Sequence, residues 1–441
     1  MYPELSEAER FPLLTQRGRE FLYRMRQHPN APIWNWPNGE QLDEAGLHRV
    51  HSFANALNDE SQRPTQSEPD WLPAFVERCL HEVPFYRKRA RAGTSLQNIS
   101  PCSRADLAPR VWEFVPDSEP LDQTIVFSSS GTSGYPTRTP HHPYSAACGV
   151  PLIELALRSL HNIELPRGPE RVAITNVAAY PGAFTTAIVV AYLQEAGCVR
   201  VNLHPSAWRS NGDCGRFIQE WQAPIWLGDP VAFGALESID VDYAPKAIVS
   251  SIMHLSDSYA DKLSHRYGCP VLDLYAMTEA GIIAVRTDDG HRILPHDLHV
   301  EILDANGQPC PDGVQGEITL TGGRNPFLPL LRYRTGDFAS LAILNGHRLL
   351  VNFHGREPTE FRTASGLVIH SMEVTRLMRH HPVLRYQMKQ RTEGGFEMAY
   401  EGDIDSGKLR AELRELFGEN VELVAQSSSV SAIALTNHLD Q

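Results

Sequence analysis

From Arg171 to Tyr275, short apolar runs alternate with longer amphipathic stretches, and this rhythm constrains the fold more than any other feature of the 441-residue chain. The runs Arg171–Val177, Cys198–Leu203, Pro224–Leu227, Lys246–Ile252 and Val271–Tyr275 predict strands. Stretches such as Ala183–Glu195 and Ser256–Tyr267 between them predict helices. Strand–helix–strand alternation favours parallel sheets covered by helices, an α/β architecture. After Pro295 the texture becomes that of hairpins, with an Asn306-Gly307 turn and the run QGEITLTGG, which predicts a β-rich subdomain. From Gly355 onward a small α+β unit is expected, with helices over Ser371–His380 and Ser406–Phe417 and a last strand over Val421–Val424. Ahead of the sheet region, residues 1–67 read as a charged helical extension, ending in the polar linker Asn58–Asp70. A helix is expected from Trp71, stopped near Pro84. The expected division is therefore 1–67, a large domain 68–354 and a small lid 355–441.

Charge and cysteine usage narrow the function classes. A formal net charge of −13 argues against a nucleic-acid backbone and against an anionic membrane surface as partner. No run approaches a membrane span, and the start MYPELSEAERF lacks the basic and apolar regions of a signal peptide, so a cytoplasmic enzyme is expected. The seven cysteines are scattered without zinc or redox spacing and read as small buried side chains. The pairs His141–His142 and His380–His381 also lack metal-site spacing and are expected at the surface or in supporting roles.

Four segments carry chemistry. Phe127–Thr137 (FSSSGTSGYPT) follows an apolar strand and sets small hydroxyl residues around two glycines, so backbone amides and hydroxyls can converge on phosphate; a flexible surface loop fits the same composition. Asp273–Gly281 (DLYAMTEAG) delivers an aromatic, a hydroxyl and a carboxylate at a strand end, where open α/β sheets bind ligands. A helix N-terminus capped by Thr278 fits it equally. Leu331–Asp337 (LRYRTGD) adds the charges of Arg332 and Arg334 to a turn whose carboxylate can hold vicinal hydroxyls, or can bond its own backbone. The fourth is His354–Arg356 (HGR), at the change to the C-terminal unit.

In this order and spacing, the segments resemble the phenylacetate–coenzyme A ligase family of acyl-adenylate-forming enzymes, from about Trp71 to the C-terminus. The stretch HEVPFYRKR is similar to the family's helix ahead of the phosphate loop, and residues 176–201 to its substrate-pocket strand and helix. The resemblance implies ATP- and Mg²⁺-dependent activation of a carboxylic acid, aryl or small, as acyl-AMP, with later transfer to a thiol or amine: coenzyme A, a carrier protein or an amine. It implies that Ser129, Ser130, Gly131, Thr132, Ser133 and Gly134 hold the ATP phosphates. Asp273 and Tyr275 would line the nucleotide site, Thr278 the α-phosphate, and Asp337 with Arg356 the ribose. Thr278 and Glu279 would be catalytic, with Glu279 the metal ligand, and Tyr180, Phe184, Ala276 and Ile282 would form the acyl pocket. A homodimer is compatible with it.

The departures are specific. Tyr135 stands where the phosphate loop usually has lysine, and residues 425–441 hold no lysine or arginine where the family places a catalytic lysine. Among the five lysines, Lys408 reads as a solvated helix residue, and Lys262 and Lys389 have no motif support. Pro358 takes the hinge aspartate's place and fixes φ at about −65°, which hinders a large backbone rotation. Loss of one preorganised cationic donor costs on the order of 10²–10³ in rate. Slow adenylation with a substitute cation, the transfer half-reaction alone, or nucleotide or partner binding without turnover are the alternatives.

Overall fold

A computed structural model describes residues 5–37, 39–59, 68–128, 137–180, 182–355, 360–363, 365–391, 395–418 and 420–425. Its centre is one mixed sheet, 13 strands among the described residues. Strands Val172–Ala178, Ala196–Asn202, Ile225–Gly228, Ala247–Ser251 and Val271–Met277 are parallel, and they are the expected ones within a residue or two. Beyond Val271–Met277 the sheet turns antiparallel through Gly281–Thr287, Gly290–Ile293, His347–His354, Leu330–Leu344, Gly316–Gly322 and Leu298–Leu303. The expected β-rich subdomain is thus continuous with the parallel part rather than a separate sheet.

Alternation along the central strands divides their side chains between two cores, as a pleated strand requires. Val177, Trp226 and Ile248 face one core; Ile174, Ile225 and Val249 face the other. Helix Gln16–Arg26 lays Phe21, Leu22 and Met25 on the first face. Helices Glu44–Asn58 and Gly149–His161 cover the second with Val50, Phe53, Leu152 and Leu157. The N-terminal helices are therefore built into the body. At Gly197 the approach is so close that a Cβ would come within 2.7 Å of the Met25 sulfur.

Ala183–Glu195 departs from the expected helix: Thr186–Val190 is an antiparallel edge strand on Ala196–Asn202, followed by a single 3₁₀ turn. Its Thr, Ile and Val content suits a pleated surface better than a helix. The helix Asp257–Tyr267 forms as expected, capped by Ser256. The helix Leu72–Glu82 ends before Pro84, which opens the short helix Pro84–Arg87. The C-terminal unit has its own core of Val374, Met378, Leu409, Leu413 and Phe417, built from helices Ser371–Met378 and Ser406–Phe417 on a three-stranded sheet. Lys408 is exposed on its helix, 3.9 Å from Glu412. Each histidine pair splits: His141 and His381 are buried, the latter bonded to Glu412 at 2.6 Å. One member of each pair thus takes the buried, supporting place and the other lies nearer the surface. The cysteines are all free, and burial pushes thiols such as Cys79, Cys102 and Cys198 up to about 12.

Candidate active site

The segment Asp273–Gly281 is the end of a strand, a turn over residues 278–280 and the start of the next strand, not a helix N-terminus. Its glycine, Gly281, has φ of +71°, which a side chain would strain. Arg324 fixes the turn from behind. It forks onto Asp297 (2.8 and 3.1 Å) and donates to the carbonyls of Ala280 (3.0 Å) and Ile282 (3.4 Å).

Tyr275 lies on this strand, buried against Phe353, and donates its hydroxyl to Asp337 Oδ2 at 2.8 Å. Burial, then the Asp337 charge, hold its phenol well above the usual range. Tyr275 and Asp337, expected at the nucleotide from two separate segments, thus share one bond. Tyr86, from the HEVPFYRKR stretch, holds the second segment in register: its buried hydroxyl donates to the Pro329 carbonyl (3.1 Å) and accepts from the Leu331 amide (3.0 Å).

Glu279 is the most enclosed carboxylate of the turn, with a side chain 0% exposed. Its Oε1 accepts from Arg104 Nε (3.0 Å) and Nη2 (2.9 Å) and from the Tyr333 hydroxyl (3.1 Å). Local pairing explains the meeting: Cys102–Ser103 runs parallel to the Leu330–Leu344 strand with Cys102 opposite Tyr333, and a capping box at Ser103 starts the helix Arg104–Leu107. Burial pulls the Arg104 guanidinium down, but the charge and hydrogen bonding of Glu279, with Tyr333, together outweigh it, and its pKa is raised. Neither Arg104 nor Tyr333 was singled out by the sequence. A capping box is a fold signal, and Tyr333 lies inside a motif read for its neighbours.

Glu279 Oε2 is buried with no partner among the described residues. An open, desolvated carboxylate oxygen fits a hard divalent cation. Among the described residues no group of three His, Cys, Asp or Glu side chains could hold a metal, so an ion here would complete its shell with water and phosphate oxygens, as magnesium commonly does.

The two arginines of LRYRTGD do not face a ligand. Arg332 is buried on the carbonyls of Gln97, Ile99 and Gly307, and Arg334 pairs with Glu317 and the Asp304 carbonyl. Desolvation of unpaired guanidinium would be costly, so the fold pairs both charges internally, with Glu301 and Glu317, while Arg332 Nε has no hydrogen-bond partner among the described residues. Thr278 is half-buried in the turn, and burial pushes the Asp273 carboxyl up to about 7 against the pull of Arg379. Ala276 and Ile282 face each other across the hairpin. Tyr180 and Phe184 follow the strand Val172–Ala178, which Ile225–Gly228 and Ala247–Ser251 separate from Val271–Met277 in the sheet. Phe184 is instead covered by Trp36 (5.2 Å) and the Arg200 guanidinium (4.0 Å). Ser129 to Gly134, Arg356, Pro358 and the tail from residue 426 lie outside the described residues.

Residues 181–325 match the family model of the AMP-binding enzymes. The chain is 28% identical over 166 residues to a phenylacetate-coenzyme A ligase of Pseudomonas putida, spanning 36% of each chain. It is 21% identical over 318 residues to the enzyme of that name from Escherichia coli, covering 66% of this chain and 70% of that one. A solved 2-hydroxyisobutyryl-CoA ligase, in the postadenylation state in complex with 2-HIB-AMP, superposes with a TM-score of 0.58 at 15% identity over 90% of both chains. That likeness shows the fold.

Proposed function

We propose that this chain, an acyl-adenylate-forming ligase of the AMP-binding enzyme family, activates a small or aryl carboxylic acid with ATP and passes the acyl group to a thiol or amine. The observation that carries the reading is the junction of two motif segments: the Tyr275 hydroxyl on Asp337, and Glu279 one turn away on Tyr333. The junction stands at the carboxyl end of a parallel strand, where α/β sheets receive ligands.

In this reading residues 68–354 bind nucleotide and 355–441 act as a lid. Asp337 accepts the ribose hydroxyls, with Tyr275 orienting its carboxylate beside the base, and Thr278 donates to an α-phosphate oxygen. Ser129 to Gly134 supply donors to the remaining phosphates, and Arg356 contributes to the ribose. Glu279 would hold Mg²⁺ through Oε2, and the ion, when bound, neutralises phosphate charge. The substrate carboxylate oxygen attacks the α-phosphorus, and the bond to pyrophosphate breaks. In the second step the sulfur or nitrogen of the acceptor attacks the acyl carbon, AMP leaves with the bonding pair, and the acceptor's proton passes to solvent. Positioning and charge neutralisation do most of this work. Ala276 and Ile282 are the pocket residues retained in the proposal.

A second reading, nucleotide binding with the transfer step alone, is favoured by residues 425–441, which hold no lysine or arginine. ATP–pyrophosphate exchange with a panel of aryl, amino and short-chain acids separates the two. Exchange with one acid is the expected result, lost in Glu279→Ala. AMP binding without exchange favours the second reading, and neither sinks both.

A further inference from the structure

Arg104 lies outside every segment that the sequence marks as functional, yet it makes the closest charged contact to the carboxylate proposed for the metal. Its guanidinium reaches Glu279 Oε1 through two nitrogens, at 3.0 and 2.9 Å, and Tyr333 adds a third bond to the same oxygen at 3.1 Å. The other oxygen, Oε2, is buried and has no partner among the described residues. The Arg104 side chain is 23% exposed, that of Glu279 not at all, so the pair is largely withdrawn from water. This is an asymmetric clamp. All bonding falls on one oxygen, which fixes the carboxylate's rotation, while the second oxygen is left for another cation.

We propose that Arg104 is a positioning residue that makes metal binding at Glu279 conditional on nucleotide. The guanidinium already balances the single carboxylate charge. A divalent ion arriving alone at Oε2 would meet a neutralised carboxylate and a fixed positive charge a few ångströms away, with little water to screen them. Arriving with a polyphosphate, the same ion brings negative charge enough to offset the guanidinium, and Arg104 is then itself within the reach of the phosphates' field. Tyr333 holds the geometry without adding charge. The proposal deepens the nucleotide-site reading above and rests on it for the identity of the second ligand, but its charge argument concerns Arg104 and Glu279 alone.

The test uses the full chain and Mn²⁺ alone as probe, read by calorimetry and by the loss of the free-ion electron paramagnetic resonance signal. The wild type is expected to take up no Mn²⁺ at Glu279 without nucleotide and one ion in the presence of a non-hydrolysable ATP analogue. Arg104→Met should bind Mn²⁺ alone at least ~10-fold more tightly than the wild type, because a like charge is removed from a poorly screened site. The gain should vanish in Arg104→Met combined with Glu279→Gln, and Tyr333→Phe should leave metal-alone affinity within about twofold. Wild-type protein that binds Mn²⁺ alone through Glu279 overturns the proposal, as does an Arg104→Met protein that gains nothing. Should Arg104→Met fail to fold, Glu279→Gln in the wild-type background still decides: nucleotide-dependent uptake that survives it overturns the assignment. AMP binding in the presence of EDTA tests the nucleotide reading by itself, so its loss is told apart from a failure of the metal arm.

Discussion

Asp273 is the side chain on the Val271–Met277 strand whose charge the surroundings oppose. Burial raises its carboxyl to about 7, and only Arg379 works against that. The unfolded chain releases the proton near the ordinary aspartate value of about 3.9, whereas the folded chain keeps it until about 7. Protonation therefore favours the folded state, and the contribution is lost as pH rises between those two values. Glu40, whose carboxyl burial also raises to about 7, adds loss of the same sign over a similar window. Asp273→Asn removes the first of these losses. The variant is expected to match the wild type near pH 4 and to exceed its melting temperature at pH 8, by a stability of roughly 1–2 kcal/mol after allowance for partial exposure. Thermal melts at the two pH values check this, and a difference that is the same at both would exclude a titrating Asp273 as the cause.

At the scale of elements, the Thr278–Ala280 turn depends on a side chain remote in sequence. Arg324 is buried, forks onto Asp297 and donates to two carbonyls of the hairpin, so it ties the turn to the segment just ahead of Leu298–Leu303. Replacing it by methionine leaves Asp297 unpaired and two carbonyls without their donor. Removal of one partner from such a buried pair costs about 3–5 kcal/mol. Arg324→Met is therefore expected to lower the urea midpoint and to weaken AMP binding more than it changes the overall fold, as judged by far-ultraviolet circular dichroism. An unchanged midpoint would show that the turn holds itself.

The same hairpin marks what the sequence disclosed. Apolar runs such as Val271–Tyr275 and Lys246–Ile252 located central strands, because strands buried on both faces need little else. The carboxylate and tyrosine at the strand end were legible from residue type and position. Their partners were not: Arg104 is 175 positions from Glu279, and Tyr275 is 62 from Asp337, so no local pattern records either bond. Thr186–Val190 was misread because a short apolar run has no period that separates strand from helix. Its place at a sheet edge, against Ala196–Asn202, settles its conformation. The charges of Arg332 and Arg334 were legible in the motif, but not that burial assigns both to protein carbonyls and acids remote in sequence.

At the scale of the whole molecule, the body and the C-terminal unit meet along a seam that the sheet alone does not explain. The Ser258 amide donates to the Arg379 carbonyl at 3.1 Å, the Ser256 hydroxyl reaches the Val383 carbonyl at 3.5 Å, and Arg379 donates to the Phe353 carbonyl at 3.2 Å. Beside these bonds Leu384 seats on helix Pro230–Leu236 at Gly234, where an added Cβ would lie 2.5 Å from a Leu384 methyl. The glycine is thus the groove into which the C-terminal sheet settles. Gly234→Val fills that groove, and Leu384 must move outward or the seam must part. Overpacking of this kind costs typically about 1–3 kcal/mol, and it falls first on the contact between Leu384 and the Pro230–Leu236 helix. Hydrogen exchange is the measurement suited to it. The Ser258 amide is expected to exchange roughly tenfold faster or more in the variant, while the amides of Ile248 and Val249 in the central strand keep their rates. Uniform acceleration at all three would mean that the substitution weakens the body itself, and equal rates everywhere would mean that Leu384 accommodates the change within the existing seam. Selective loss at Ser258 would establish that the C-terminal unit can part from a body that remains folded, the condition that a lid over the nucleotide must meet.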